Sequence, residues 1–272
     1  MMKSVLAISE GGPDAAMAFR LAAVVAADFG AIVDGVHFPL GRPDDINIAA
    51  QAMPFLKDQD KSRLNGRLHN TEGAWREHAA AIAGATLRTG WDTTLDMLVA
   101  MGRSADLLIV GRPGIDPENT APATVHAAIH DCARPVMVAP PDPHARRLSS
   151  VVIAWNGSAQ AARAVEYALP FLARAIKVTI LVAGATPDAV NAPLLVRHLG
   201  RHGVAATVDA VDPGVVSGRA RGRALLGYVG DSNADLLVMG AYGGGQLSGF
   251  LGLGGATGKV ISSCPVPVLL AH

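Results

Sequence analysis

The chain has 272 residues, half of them hydrophobic, enough to build a sizeable core in one large domain or two ordinary ones. Lysine plus arginine and aspartate plus glutamate both number 23, giving zero formal net charge and a pI near 7.1, which argues against nucleic acid or an anionic membrane surface as the main partner. No apolar run has membrane-spanning length, the opening run closes at Glu10 before it reaches the length of an export signal, and there are two cysteines, so the composition predicts a cytoplasmic chain with Cys132 and Cys264 as reduced thiols.

Taken in order, the chain repeats itself. Ser4-Val5-Leu6-Ala7-Ile8-Ser9-Glu10-Gly11 aligns with Ser150-Val151-Val152-Ile153-Ala154-Trp155-Asn156-Gly157. Further on, Asp106-Leu107-Leu108-Ile109-Val110-Gly111 aligns with Asp235-Leu236-Leu237-Val238-Met239-Gly240, and Cys132 to Ala139 with Cys264 to Ala271. The first half carries an extra polar segment between Phe38 and Trp75, expected as a long loop plus a helix. The second half is longer in its glycine loop. Within the second half, short continuous apolar runs at 151–155, 178–182, 206–211, 236–239 and 267–271 read as strands covered on both faces. Residues at helical spacing over 158–172, 188–202, 217–233 and 256–263 read as helices, with Ser158 able to cap the first. Alternating strands and helices predict an α/β fold with parallel sheets. The expected domains are 1–140 and 149–272, joined by the stiff Pro140-Pro141-Asp142-Pro143 linker.

Chemistry concentrates in the last part. After the 236–239 strand come Gly240, Gly243, Gly244, Gly245, Gly249, Gly252, Gly254, Gly255 and Gly258, more glycine than a surface connection needs. A glycine loop between a buried strand and a helix start gathers amides and the positive end of a helix dipole around one point, which suits a phosphate. Known fingerprints nevertheless fail: Leu253 and Val260 break the P-loop pattern, and Gly252-Leu253-Gly254 is followed by the wrong spacing for a dinucleotide turn. His126 and His130 share a helical face but lack the glutamate of a metalloprotease helix. The arginine clusters at Arg219, Arg221 and Arg223 read as solvated helix faces. No residues present themselves as catalytic, and none as metal ligands.

Ala154-Trp155-Asn156-Gly157-Ser158, Gly240-Ala241-Tyr242-Gly243, Gly254-Gly255-Ala256-Thr257 and Val266-Pro267-Val268-Leu269-Leu270 together resemble the universal stress protein family in its tandem form, over essentially the whole chain. The resemblance implies two open, doubly wound five-stranded sheets of order 3-2-1-4-5, with a ligand at the carboxyl ends of the first and fourth strands. It implies that Ala154, Trp155 and Asn156 meet the adenine of a bound ATP, that Val182 lies against it, and that Met239 and Gly240 line base and ribose. It further implies that Gly243, Gly254, Gly255 and Ala256 meet the phosphates, with a hydroxyl from Thr257 and any magnesium held through the phosphates only. This sequence departs from the family pattern in having one residue more between Gly243 and Gly254, Gly255 where serine is common, and Asn156 where aspartate stands. In the first half, Gly111-Arg112-Pro113-Gly114 has no third glycine after it, and Pro117 and Pro122 remove amide donors, so that half is expected to bind no nucleotide.

The function implied is a cytoplasmic stress-response protein that binds an adenine nucleotide in its C-terminal half and regulates rather than catalyses. The alternative is a nucleotide-free scaffold or chaperone-like module. Neither nucleic acid nor membrane is an expected partner. The two halves are expected to form an intramolecular pseudo-dimer through their last strands, with a homodimer as a further form.

Overall fold

The structure is a computed structural model that describes residues 2–38, 58–90, 93–114, 119–141, 147–214, 217–242 and 255–272. The chain divides into two compact units, Met1–Pro141 and Asp142–His272.

The first unit contains β1 (Ser4–Ser9), α1 (Ala15–Phe29), β2 (Ile32–His37), α2 (Asp58–His78), β3 (Thr86–Arg88), α3 (Leu95–Arg103), β4 (Leu107–Gly111), α4 (Pro122–Asp131) and β5 (Val136–Ala139). Its strands are all parallel, in the order β3-β2-β1-β4-β5. The second unit contains β6 (Ser150–Ala154), α5 (Ala159–Leu172), β7 (Lys177–Ala183), α6 (Ala192–Arg201), β8 (Thr207–Val211), α7 (Gly218–Asp231), β9 (Leu236–Gly240), α8 (Gly255–Ser263) and β10 (Val268–Ala271). Its order is β8-β7-β6-β9-β10, again parallel. Each unit therefore has the 3-2-1-4-5 order, with first and fourth strands side by side. The expected fold class is the one found.

The apolar runs read as doubly covered strands are buried along their length: β4, β5 and β10 throughout, β9 except at Gly240. Helix α1 buries Ala18, Phe19, Leu21, Ala22, Val25 and Ala26 and stops at Gly30, whose φ of 62° is a left-handed cap that donates to the Ala26 carbonyl. Helix α6 starts later than the periodicity predicts because 187–191 forms turns and Asn191 is left-handed at φ 55°. The duplication extends to detail. Asp106 accepts from the Lys3 and Ser4 amides at 2.7 and 3.0 Å, and Asp235 accepts from Ser149 and Ser150 amides at 3.0 and 2.8 Å. Each aspartate ties the entry of its fourth strand to the entry of its first.

The extra segment of the first half supplies α2, as expected for its helical part, while 39–57 lies outside the described residues. Although α2 is polar overall, Arg67, Thr71, Ala74 and Trp75 recur at helical spacing and are buried. Trp75 stacks edge-on against Phe19 of α1 with ring centroids 5.3 Å apart. A Cβ at Gly35 of β2 would lie 2.5 Å from the Trp75 ring, so glycine there makes room for the indole.

Candidate functional site

In the second unit the carboxyl ends of β6 and β9 lie side by side, with Ala154 paired to Met239 and also to Leu181 of β7. Val182, only 1 % exposed, is one residue beyond that row. Ala154, Val182, Met239 and Gly240 are thus gathered at the switch point where an open parallel sheet leaves room for a ligand.

The chain then turns sharply. Trp155 donates its amide to the Leu181 carbonyl at 2.9 Å and its indole Nε1–H to the Val190 carbonyl at 2.8 Å. Gly157 is left-handed at φ 72°, and a Cβ there would stand 3.3 Å from the same Val190 carbonyl. The Trp155 ring therefore anchors the 186–191 turns above the strand end. Asn156 is exposed, and its Oδ1 accepts from the Ser158 amide at 3.1 Å. That leaves the side-chain NH2 as its outward group, a donor where an aspartate would only accept. Ser158 caps α5 through the Ala161 amide at 3.2 Å, as its position in the sequence predicts.

Gly240 also has a packing role that sequence reasoning did not assign. A Cβ at this position would meet the Ala161 nitrogen at 2.5 Å and the Gln160 carbonyl carbon at 2.7 Å, so its missing side chain is taken up by the start of α5. Beyond it, Tyr242 adopts φ 53° and donates its amide to the Thr257 hydroxyl at 3.3 Å. Thr257 is 8 % exposed, and its oxygen is an acceptor within the fold that retains its own proton for donation.

Gly243 and Gly254 lie outside the described residues, whereas Gly255, Ala256 and Thr257 form the first turn of α8. Gly255 is left-handed at φ 82°, with open space where a Cβ would point. Against it lies α7: a Cβ at Gly218 would stand 2.8 Å from the Gly255 Cα and 3.1 Å from the Ala256 nitrogen, and one at Gly222 would stand 3.1 Å from the Ala256 carbonyl oxygen. Two glycines one helical turn apart on α7 therefore let the start of α8 approach backbone to backbone. The sequence reading missed this pair, although glycines four apart facing a glycine-rich helix start are a visible signal. It also placed Arg221 on a solvated face. Arg221 is exposed, yet its Nε would be 3.4 Å from a Cβ at Gly184, so the guanidinium leans over the end of β7 beside Pro213. A shallow depression lined by Gly184, Ala185, Asp212, Pro213 and Gly214 opens there.

No group of three or more histidine, cysteine or acidic residues is placed to hold a metal among the described residues. His126 and His130 stack on each other with centroids 4.1 Å apart. Both cysteines are buried, no disulfide joins them, and burial, with Asp131 adding to it, pushes the Cys132 thiol up to about 11, far from the range of a reactive thiolate. No described helix is long and apolar enough to cross a membrane.

A parallel five-stranded sheet with its switch point between first and fourth strands, repeated once, defines a tandem α/β protein of the doubly wound class. The family model described as "Universal stress protein family" matches residues 148–272, so the second half of the chain belongs to the universal stress protein family. The whole chain has the fold of a universal stress protein from Archaeoglobus fulgidus DSM 4304, with 17 % identity and a TM-score of 0.64 over 99 % of this chain and 98 % of that one. Two single-domain structures cover 46 % of this chain. One is a universal stress protein in complex with cAMP (25 % identity, TM-score 0.37, 96 % of that chain). The other is universal stress protein UspA from Lactobacillus plantarum (18 % identity, TM-score 0.34, 99 % of that chain). No curated protein matches the chain.

Proposed function

We propose that the second unit binds an adenine nucleotide, ATP in the first instance, and that the protein works as a nucleotide-responsive regulator in the stress response rather than as a catalyst. The observation that carries this reading is the meeting of two features at one place. The strand ends at half-buried Ala154 and buried Met239, with buried Val182 beside them, offer an apolar bed for a base. The first turn of α8, brought in close by Gly218 and Gly222, offers backbone amides and the positive end of a helix to phosphates. Asn156 adds an outward donor suited to a ring nitrogen of the base. In this reading Gly243 and Gly254 complete the phosphate loop, and magnesium enters only as a companion of the phosphates.

The regulatory rather than catalytic role is supported by the chemistry of the strand ends. Ala154, Trp155, Asn156, Met239 and Thr257 include no group able to act as a general base at neutral pH.

Calorimetric titration of ATP with magnesium tests the proposal. Wild-type protein is expected to bind one nucleotide per chain. Thr257→Val removes the hydroxyl from the start of α8, and the affinity should fall by about threefold to tenfold, the worth of one hydrogen bond. Absence of binding heat in the wild type, with nothing adenine-containing carried through purification on mass spectrometry, would favour the nucleotide-free scaffold.

A further inference from the structure

In the first unit the carboxyl ends of β1 and β4 are filled by the chain's own polar side chains. Glu10 and Asp14, only 2 % and 4 % exposed, both turn to the beginning of α4. Glu10 accepts from the Ala121 amide at 3.1 and 3.2 Å through its two oxygens and from the Thr124 hydroxyl. Asp14 accepts from the Thr120 amide and hydroxyl at 2.8 and 2.7 Å. The residue that would ordinarily cap α4 is Ala121, which has no side-chain acceptor. The cap is supplied instead from the β1–α1 turn, more than a hundred residues away in sequence.

Helix α2 closes the same place from the other side. Arg67 donates its Nε–H to the Glu10 carbonyl at 2.8 Å, with its guanidinium 3.9 Å from the Glu10 carboxyl. Asn70 donates to the Gly11 carbonyl at 3.1 Å. Thr71 lies 3.3 Å from the Ser9 hydroxyl and 2.8 Å from His37 Nδ1. A Cβ at Gly11 would be 2.0 Å from the Arg67 carbonyl oxygen, so the α2 backbone rests directly on the turn.

We propose that Glu10, backed by Asp14, is a built-in plug. Its carboxyl group occupies the seat at the start of α4 that corresponds to the start of α8 in the second unit, and it locks α2 over the first unit's switch point, closing that seat to an outside anion.

Three observations support this beyond ordinary capping. Two carboxyl groups converge on one helix start, where a single acceptor would serve as a cap. Gly111, the counterpart of Gly240, is required by the arrangement, since a Cβ there would stand 2.6 Å from the Thr120 hydroxyl and 3.0 Å from the Asp14 carboxyl. The second unit has Asn156 and Gln160 at the aligned positions, and Asn156 turns its carbonyl onto Ser158 in its own loop. The carboxyl plug is therefore a property of the first copy.

Hydrogen exchange read by mass spectrometry on the full chain, without any nucleotide, tests the plug independently of the second-unit reading. In Glu10→Ala, exchange in 61–78 and 121–125 should rise on the order of tenfold to a hundredfold, the loss expected for a buried carboxyl's hydrogen bonds. Acetate, which matches the deleted group, should restore protection in that variant, while chloride at equal ionic strength should not. Wild-type protein should respond to neither. Unchanged protection of α2 in Glu10→Ala, or recovery no better in acetate than in chloride, overturns the proposal. Should Glu10→Ala fail to fold, Thr124→Val removes a donor from the opposite side: faster exchange in α2 supports the plug, and wild-type exchange there overturns it.

Discussion

At the scale of single residues, the glycines of this chain separate into those a ligand would need and those the fold itself consumes. Gly240 is needed by the fold whether or not a ligand also approaches it. A methyl group there would press on the backbone of Gln160 and Ala161, which cannot give way as a flexible side chain would. Gly240→Ala is therefore expected to cost about 1–3 kcal/mol by overpacking, measured as a lower denaturant midpoint with an unchanged slope. A variant as stable as the wild type would show that the start of α5 is free to shift. Asn156 illustrates the opposite case. Its sequence position marked it for the base, and the structure adds which end of its amide is turned outward.

Between elements, the buried polar group that joins β1, β2, α2 and α4 gives the first unit a particular pH dependence. Burial pushes the Glu10 carboxyl up to about 8, against the opposing pull of Thr124, the Ala121 amide and Arg67. Burial, with Arg67 adding to it, pushes His37 down to about 4. A carboxyl whose folded value is raised contributes stability that is complete below its unfolded value of 4.5 and is lost as pH rises through 8. A histidine whose folded value is lowered contributes stability that is complete above 6.5 and is lost as pH falls through 4. The two slopes oppose each other between 4.5 and 6.5. Among the described residues, alkaline loss between 6.5 and 8 should come from Glu10, and Glu10→Gln should flatten that arm in a thermal-unfolding pH series. An alkaline arm as steep in Glu10→Gln as in the wild type would place the titrating group elsewhere.

The sequence made these elements legible but not their meeting. Doubly buried strands appear as continuous apolar runs, duplicated aspartates mark the fourth strands, and the alternation with helices gives parallel pairing, whereas the 3-2-1-4-5 order comes only with the family resemblance. The Glu10 cluster did not appear because its partners lie at 67–71 and 120–124. No local periodicity links such positions, and the alignment of Glu10 with Asn156 was a signal only in hindsight of the contact. Similarly, Gly218 and Gly222 read as ordinary helix positions until the start of α8 is seen against them.

Across the whole molecule, one duplicated sheet plan has been put to two uses. The first unit has invested its switch point in a polar interior beneath α2, and the second has kept a glycine-rich approach to α8 beside an apolar strand end. We propose that an adenine nucleotide occupies the second unit alone. Photolabelling of the intact protein with an azido-adenine analogue of ATP, followed by peptide mapping and competition with unlabelled ATP, tests it most directly. Competable label is expected only in peptides from 148–272, at the strand ends that carry Ala154 to Asn156, Val182 and Met239. Competable label in peptides carrying Glu10, His37 or Gly111 would contradict it.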